Sequence, residues 1–215
     1  MIRALVFDFD GLILDTESAQ IAAYADVYAA HGMPFDLQLF QHSVGHGELA
    51  FDPWRTFGPG ADRVALEGER RDRNQQRDLE LAILPGVTAL LAGAREHGLR
   101  VALCSNSSRA HCVKHLTRLD LLGHFEFLAC RGEAPLPKPA PDLYQLALGH
   151  FGLRGFQAIA FEDSYTGSLA AKRANLWCVV APGPSTAHHD FRHADRLVPS
   201  LADCTLAGLM AEFRP

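Results

Sequence analysis

The chain has 215 residues, enough for one large domain or for a domain with an insertion; 48% of the residues are hydrophobic and 21% are charged. This composition is typical of a soluble globular protein and excludes a disordered chain. A net charge of −5 argues against a nucleic-acid-binding protein, and no apolar run approaches the roughly 18 residues of a membrane span. The N-terminal segment MIRALVFDFDG is too briefly apolar for a signal peptide, so we expect a cytoplasmic protein with no nucleic-acid or membrane partner.

Short apolar segments and helical patterns alternate along most of the chain. Several of the apolar segments are hydrophobic at consecutive positions, which is typical of strands covered on both faces. The predicted helices follow Gly86 and Ser108, begin at Pro141, and cover about 164–174. This alternation predicts an α/β fold with a Rossmann-like parallel sheet. The predicted strands are Ile2–Phe9, Arg100–Ser105, Phe125–Ala129, Ala158–Phe161, Trp177–Val180 and Arg196–Val198.

The stretch after the first predicted strand contains no convincing further strand. It opens with a segment that is apolar at helical spacing, Glu17–His31, and it ends in a charged helical run, Asp62–Leu81. Between them lies a segment rich in glycine, proline and histidine. The pattern predicts a small all-helical cap domain, residues 16–83, inserted into a core domain that comprises residues 1–15 and 84–215.

Polar residues collect where the predicted strands end. Because the carboxyl ends of parallel strands form the ligand crevice of an open sheet, we expect these side chains to converge. Crowded carboxylates repel one another and need a cation or a shared proton, and a ligand set made only of oxygens favours Mg²⁺. A lysine and serine hydroxyls beside a helix N-terminus favour a phosphate. These residues are Asp8, Asp10, Ser105, Asn106, Lys138, Glu162 and Asp163.

A site that combines Mg²⁺ with phosphate-holding groups is suited to phosphoryl transfer, where catalysis is mostly positioning and charge neutralisation. Asp8 and Asp10 stand two positions apart. This spacing allows one carboxylate to attack phosphorus while the other manages protons.

Other polar residues have ordinary structural interpretations. Asp15, Ser107 and Ser108 are residue types typical of turns and helix caps. His111 and His115 are four positions apart without a partner motif, and we interpret them as surface residues. The cysteines are odd in number and scattered, so we expect free, buried thiols; they are Cys104, Cys112, Cys130, Cys178 and Cys204.

Four motifs, DFDG-x3-DTE, SNSS, KPAPDLY and FEDSYTG, occur in this order. Together they closely resemble the four motifs of the haloacid dehalogenase-like hydrolase superfamily. Within it, the chain resembles the β-phosphoglucomutase-like phosphatases that carry a helical cap after the first motif. The resemblance extends over essentially the whole chain, and four motifs in order at fitting strand ends are far more specific than any one of them.

The resemblance implies a role for each motif residue. Asp8 would be the nucleophile that becomes an aspartyl-phosphate, and Asp10 would protonate the leaving group and then activate water. Ser105 and the backbone of Asn106 would hold the phosphoryl oxygens. Lys138 would neutralise charge between the nucleophile and the phosphate.

The resemblance also implies the cofactor. Mg²⁺ would be bound by Asp8, by the backbone carbonyl of Asp10 and by Asp163, with Glu162 binding directly or through water. It further suggests a cis peptide bond between Lys138 and Pro139.

The cap would supply part of the substrate site, because a cap excludes water and selects the leaving group. The candidates are Glu17 and Gln20 at the cap entry, Gly45 and His46 in a glycine-flanked loop, and Arg73 on the last cap helix, which is singled out by alignment with the family. In the related sugar-phosphate mutases the position aligned with Gln20 is a histidine, and the one aligned with Arg73 is a lysine. These departures favour a phosphatase over a mutase.

We therefore expect a Mg²⁺-dependent phosphatase that acts on a small phosphorylated metabolite, with sugar phosphates as one class of candidate. A sugar-phosphate mutase and a non-catalytic binding protein on the same fold are the alternatives, since one scaffold hosts many activities. We expect a monomer or a weak homodimer.

Overall fold

The computed structural model describes residues 1–41, 43, 49 and 51–214. In this part of the chain, six strands form one parallel sheet: β1 (Ala4–Phe7), β2 (Arg100–Cys104), β3 (Phe127–Ala129), β4 (Ala158–Glu162), β5 (Trp177–Val180) and β6 (Arg196–Leu197). Their order across the sheet is β3-β2-β1-β4-β5-β6. The predicted α/β fold with a Rossmann-like parallel sheet is confirmed.

Among the described residues, four α-helices lie between β1 and β2, single helices connect the next strands as far as β5, and β6 follows β5 without an α-helix between them. The helices are α1 (Thr16–Ala30), α2 (Leu37–Gln41), α3 (Arg63–Glu80), α4 (Val87–Glu96), α5 (Arg109–Arg118), α6 (Asp142–Phe151), α7 (Tyr165–Arg173) and α8 (Leu206–Glu212).

Strand β1 is buried on both faces, which explains its uninterrupted apolar sequence. Leu5 and Phe7 belong to the hydrophobic cluster on one side of the sheet, and Ala4 and Val6 belong to the cluster on the other. Successive side chains of a strand point to opposite faces, so a strand between two helical layers needs apolar residues at every position.

The first strand is shorter than the predicted Ile2–Phe9, because the chain turns sharply after Asp8. Gly11 has a φ of +75°, a conformation that glycine adopts without steric cost, and its N–H donates to the Leu14 carbonyl at 2.8 Å. The apolar residues of this turn are buried in the core rather than continuing the sheet; they are Phe9, Leu12, Ile13 and Leu14.

Helices α1, α2 and α3 pack around a hydrophobic cluster of their own. Its centre is aromatic: the rings of Tyr28 and Trp54 stack with centroids 6.1 Å apart, and Phe40 is 2% exposed. This separate cluster agrees with the predicted helical insertion. The predicted boundaries between core and cap stay a prediction.

Two further sequence expectations concern the whole chain. Among the described residues, none of the helices combines the length and the apolar character needed to cross a bilayer. All five cysteines are free and buried, as expected from their scatter.

The buried centre of β1 provides a test of core packing. We expect Leu5→Ala to lower the free energy of unfolding by about 2–5 kcal/mol, because Leu5 is fully buried and its truncation leaves a cavity. Leu136→Ala serves as the control, since Leu136 is 58% exposed, and we expect a change within about 0.5 kcal/mol. Urea unfolding followed by circular dichroism measures both, and equal effects would contradict the assignment of the core.

Candidate active site

A buried ion-pair cluster lies at the carboxyl ends of β1 and β4. Lys138, in the loop after β3, donates from Nζ to Asp8 Oδ1 at 2.8 Å and to Glu162 Oε1 at 2.6 Å. The Tyr144 hydroxyl also donates to Glu162 Oε1. Asp8, Lys138 and Glu162 are each less than a tenth exposed, so one ammonium group bridges two carboxylates away from bulk water.

Asp163 completes a group of three buried acids with Asp8 and Glu162. One carboxylate oxygen from each of the three lies within 4.8 Å of the others. Within the described ranges, Glu162 Oε2 and Asp163 Oδ1 are buried and have no hydrogen-bond partner. A buried carboxylate oxygen without a partner is costly, and a cation bound by this group of acids would offset that cost. Because the donors are all oxygens, the residues fit a hard cation such as Mg²⁺.

The protonation of these acids reflects their burial. Burial, followed by the charge of Asp8, raises the pKa of Glu162 to about 7. Burial and the neighbouring carboxylates, Glu17 first, raise the pKa of Asp163 well above its ordinary value. Without a cation, the carboxyl groups of Glu162 and Asp163 therefore stay protonated to a higher pH than ordinary acids, and a bound cation would displace these protons.

Asp10 occupies a different environment. Thr16 Oγ1 donates to its Oδ1 at 2.7 Å, and Ser107 Oγ donates to its Oδ2 at 2.6 Å. Ser105 Oγ lies 3.4 Å from Oδ2, and His111 Nε2 lies 3.4 Å from Oδ1. Burial alone would raise the pKa of Asp10, but the contacts with His111, Ser107 and Thr16 outweigh it and hold this pKa below its ordinary value.

The loops after β2 and β3 are tied together through Asn106. Its Nδ2 donates to the Lys138 carbonyl at 3.1 Å, and the Lys138 N–H donates to its Oδ1 at 2.9 Å. The peptide bond between Lys138 and Pro139 is cis, as the resemblance suggests. The sequence indicated a role for the Asn106 backbone but did not indicate these two hydrogen bonds between its side chain and the Lys138 backbone.

The cluster forms the floor of a cleft of about 500 Å³ whose opposite wall is the helical insertion. Glu17 and Gln20 of α1 line it, and burial together with the charges of Asp10 and Asp8 raises the pKa of Glu17 to about 9.

Helix α3 contributes Arg70, Asn74 and Asp78 to the same wall. Arg73 is not among the lining residues, whereas Arg70, one turn earlier, is. The Gly45–His46 segment lies outside the described residues.

The structural interpretations of the remaining residues hold in part. Asp15 is the N-cap of α1 and Ser108 that of α5, as expected. The interpretation of Ser107 as a cap is wrong, since its hydroxyl contacts Asp10. The interpretation of His115 as a surface residue is wrong, because it is fully buried beside Phe9. His111 is 31% exposed at its side chain and lines the cleft.

Gly167, in the first turn of α7, tests how closely the acid cluster is packed. A Cβ at this position would lie 2.0 Å from Glu162 Oε2, and the carboxylate cannot move without breaking its bonds to Lys138 and Tyr144. We expect Gly167→Ala to destabilise the protein by about 1–3 kcal/mol.

The matched control is Gly149→Ala on α6, because a Cβ there meets no atom within 4 Å. We expect a neutral effect or a stabilisation of up to about 1 kcal/mol from the reduced flexibility of the unfolded chain. Thermal unfolding compares the two variants, and a tolerated Gly167→Ala would show that Glu162 is not fixed.

The acid cluster also predicts how stability depends on pH. Because the pKa of Glu162 is raised in the folded state, its protonated form stabilises the fold below about pH 4.5, and this stability is lost as the pH rises toward about 7. Asp163, with a raised pKa, acts in the same direction. We expect the melting temperature in EDTA to fall between pH 5 and pH 8, and to fall less in Asp163→Asn.

Addition of Mg²⁺ at pH 8 should reverse this loss in the unmodified protein. At about 100 times its Kd, a ligand specific to the folded state raises the melting temperature by about 5–10 °C in a protein of this size. Asp163→Asn should show little of this rise. An equal rise in both proteins would place the cation elsewhere.

Comparison with known proteins places this geometry in a family. The family model for haloacid dehalogenase-like hydrolases matches residues 2–175. The chain is 35% identical to YhcW of Bacillus subtilis (strain 168), with 98% of this chain and 97% of YhcW covered. It is 33% identical to Hexitol phosphatase B of Escherichia coli (strain K12), with 97% of each chain covered.

A solved structure agrees with these relatives. A mutant of CbbY from Rhodobacter sphaeroides, in complex with xylulose-(1,5)bisphosphate, superimposes with a TM-score of 0.77 at 29% identity and covers 97% of this chain and 99% of that one. The four motifs, the parallel sheet and the buried acid cluster thus have a common explanation: the chain belongs to the haloacid dehalogenase-like hydrolase family.

Proposed function

We propose that this hydrolase is a Mg²⁺-dependent phosphatase that acts on a small phosphorylated metabolite through an aspartyl-phosphate on Asp8. The observation that carries the proposal is the contrast between two carboxylates only two residues apart. Asp8 is paired with Lys138 in the acid cluster, while Asp10 is held by hydroxyl groups and an imidazole. Two titratable groups in contrasting environments are suited to different roles in one reaction.

In the first step, a carboxylate oxygen of Asp8 attacks phosphorus, and the bond from phosphorus to the leaving-group oxygen breaks. Asp10 has a lowered pKa, so it must first take up a proton, which it then donates to that oxygen, and the product leaves as an alcohol. Ser105 and the Asn106 backbone bind the phosphoryl oxygens, and Lys138 stabilises the charge that develops on them.

In the second step, Asp10 takes a proton from water as the water oxygen attacks the aspartyl-phosphate. The bond between phosphorus and Asp8 breaks, which releases inorganic phosphate and regenerates the carboxylate. Asp8, Glu162, Asp163 and the Asp10 carbonyl would hold the cation. When bound, Mg²⁺ supplies charge neutralisation for the transferred phosphoryl group.

Helices α1–α3 serve in this proposal as the cap, residues 16–83, and residues 1–15 and 84–215 form the core. Glu17 and Gln20 would contact the substrate from the first cap helix. Arg70 is an additional candidate because it lines the cleft. Arg73 stays a prediction from the resemblance, and His46 stays a prediction from its place in a cap loop.

A sugar phosphate or sugar-alcohol phosphate is the substrate class with most support. One relative is named a hexitol phosphatase, and a similar structure holds xylulose-(1,5)bisphosphate. The cleft offers many hydrogen-bonding side chains, including Gln20 and Asn74, that can contact substrate hydroxyl groups.

The test is phosphate release from a panel of esters: hexose and hexitol phosphates, a pentulose bisphosphate, phosphoglycolate, nucleotides and p-nitrophenyl phosphate, each with Mg²⁺ and with EDTA. We expect release that depends on Mg²⁺ and falls at least about 10³-fold in Asp8→Asn, because the amide cannot act as the nucleophile. The control variant is Asp203→Asn, which replaces a solvent-exposed acid of the core domain and should retain full activity.

The outcomes separate the alternatives. Full activity of Asp8→Asn would refute the proposed nucleophile. Isomerisation of β-glucose 1-phosphate in the presence of a bisphosphate, without free phosphate, would identify a mutase instead. No turnover of any ester and no Mg²⁺ binding by calorimetry would favour a binding protein.

A further inference from the structure

Asp78 is an acidic residue of α3 that lies almost completely buried in the wall of the cleft. Its side chain is only 6% exposed, and both Asp78 and Asn74 line the cleft from the helical insertion. The two residues are four positions apart on one side of α3, and Asn74 Nδ2 donates to Asp78 Oδ2 at 3.2 Å. The two side chains therefore form one hydrogen-bonded pair in this wall.

The pair and its neighbour across the domain contact leave buried polar atoms without partners. Across the residues that the structure describes, these atoms include Asn74 Oδ1, Asp78 Oδ1 and both ring nitrogens of His115. His115 Nε2 lies 3.8 Å from Asp78 Oδ2, which is too long for a hydrogen bond. Burial, followed by the charge of His111, lowers the pKa of His115 to about 4, so its ring is neutral at pH 7 and does not neutralise Asp78. A buried carboxylate whose Oδ1 has no donor lowers the stability of the fold.

Asp78 lies on the same side of the cleft as Asp10. Burial raises the pKa of Asp78, and the charges that act on it include those of His111, Lys114 and Asp10. In the proposed reaction, Asp10 passes a proton to the departing oxygen. The leaving group of the substrate is therefore the part that comes nearest to Asp78.

The chemistry of the unpartnered atoms selects hydroxyl groups. An ionised carboxylate only accepts hydrogen bonds, so the Asn74 amide turns Nδ2 toward Asp78 and keeps Oδ1 as a free acceptor. The pair thus offers two acceptor oxygens, which match two neighbouring hydroxyls of a sugar or a sugar alcohol. A carboxylate or a second phosphate on the leaving group would be repelled by Asp78.

We propose that Asp78 is a specificity-determining residue whose carboxylate accepts a hydrogen bond from a hydroxyl group of the leaving group, while Asn74 Oδ1 accepts from a neighbouring hydroxyl; this rests on the proposed phosphatase function. The substrate is then a phosphate monoester of a polyhydroxylated alcohol. Substrate binding supplies the donor that Asp78 lacks, so the unfavourable burial of this carboxylate in the free protein is compensated only in the complex.

The test measures kcat/KM for the best sugar or sugar-alcohol phosphate of the panel, for its single-deoxy analogues and for p-nitrophenyl phosphate. We expect Asp78→Ala to lower kcat/KM for the polyol ester by about 10–100-fold, the effect of losing a hydrogen bond to a charged group. For p-nitrophenyl phosphate, whose leaving group carries no further hydroxyl, the loss should stay below about 3-fold. One deoxy analogue should be a poor substrate of the unmodified protein, and Asp78→Ala should hydrolyse it about as well as the unmodified protein does.

Thermal unfolding separates substrate recognition from a structural role. Because Asp78→Ala removes a buried carboxylate with an unpartnered oxygen, we expect its melting temperature to be unchanged or higher. Asp78→Asn retains one acceptor oxygen and should keep more activity on the polyol ester than Asp78→Ala, and it tests the proposal even if the alanine variant misfolds. The control is Gln75→Ala, which replaces an exposed amide of the same helix and should leave the rates on all esters unchanged.

Three results would overturn the proposal. Equal losses on the polyol ester and on p-nitrophenyl phosphate would assign Asp78 a structural role. Unchanged rates in Asp78→Ala would show that a group other than the substrate, such as an ordered water, satisfies the carboxylate. A best substrate without a hydroxyl on its leaving group would exclude the substrate class. Failure of the phosphatase function itself is distinguishable, because the unmodified protein would then release no phosphate in a Mg²⁺-dependent manner from any ester.

Discussion

The structure of the site depends on one buried ammonium group. Lys138 lies between Asp8 and Glu162, and although burial disfavours its charge, these two carboxylates hold its pKa above the ordinary value. With Asp163 nearby, three buried acids share a single buried lysine. A charge balance this incomplete is unfavourable in a medium of low polarity, and the proposed cation would supply the missing positive charge.

The topology of the sheet explains why these groups meet. The chain runs from β1 outward to β2 and β3 and then returns to place β4 on the other side of β1. Loops leaving strands on either side of such a reversal point diverge and open a crevice, where ligands of open α/β sheets bind. Asp8 follows β1 at the centre, Ser105 follows β2, Lys138 comes from the loop after β3, and Glu162 ends β4.

The sequence alone was sufficient to predict the acids and the lysine of the buried cluster. It was insufficient to predict which side chains of the surrounding helices line the cleft. Asp8 and Glu162 could be placed because each lies at the end of a strand, and strand ends follow from hydrophobic patterning; Lys138 could be placed in the loop that follows β3. His111 could not, because whether a helical histidine faces solvent or the residues after β1 depends on how α5 packs. Arg70 and Arg73 differ by one helical turn, and a resemblance across loops of variable length does not define register that closely.

The aromatic cluster of helices α1–α3 is distinct from the two clusters that cover the sheet. Substitutions in groups that share no contacts have nearly independent effects on stability. Evolutionary change can therefore remodel the wall that faces the leaving group while the arrangement of Asp8, Lys138 and Glu162 stays intact. A fold divided in this way allows one phosphoryl-transfer chemistry to be inherited unchanged while the range of accepted esters diversifies from one descendant to another.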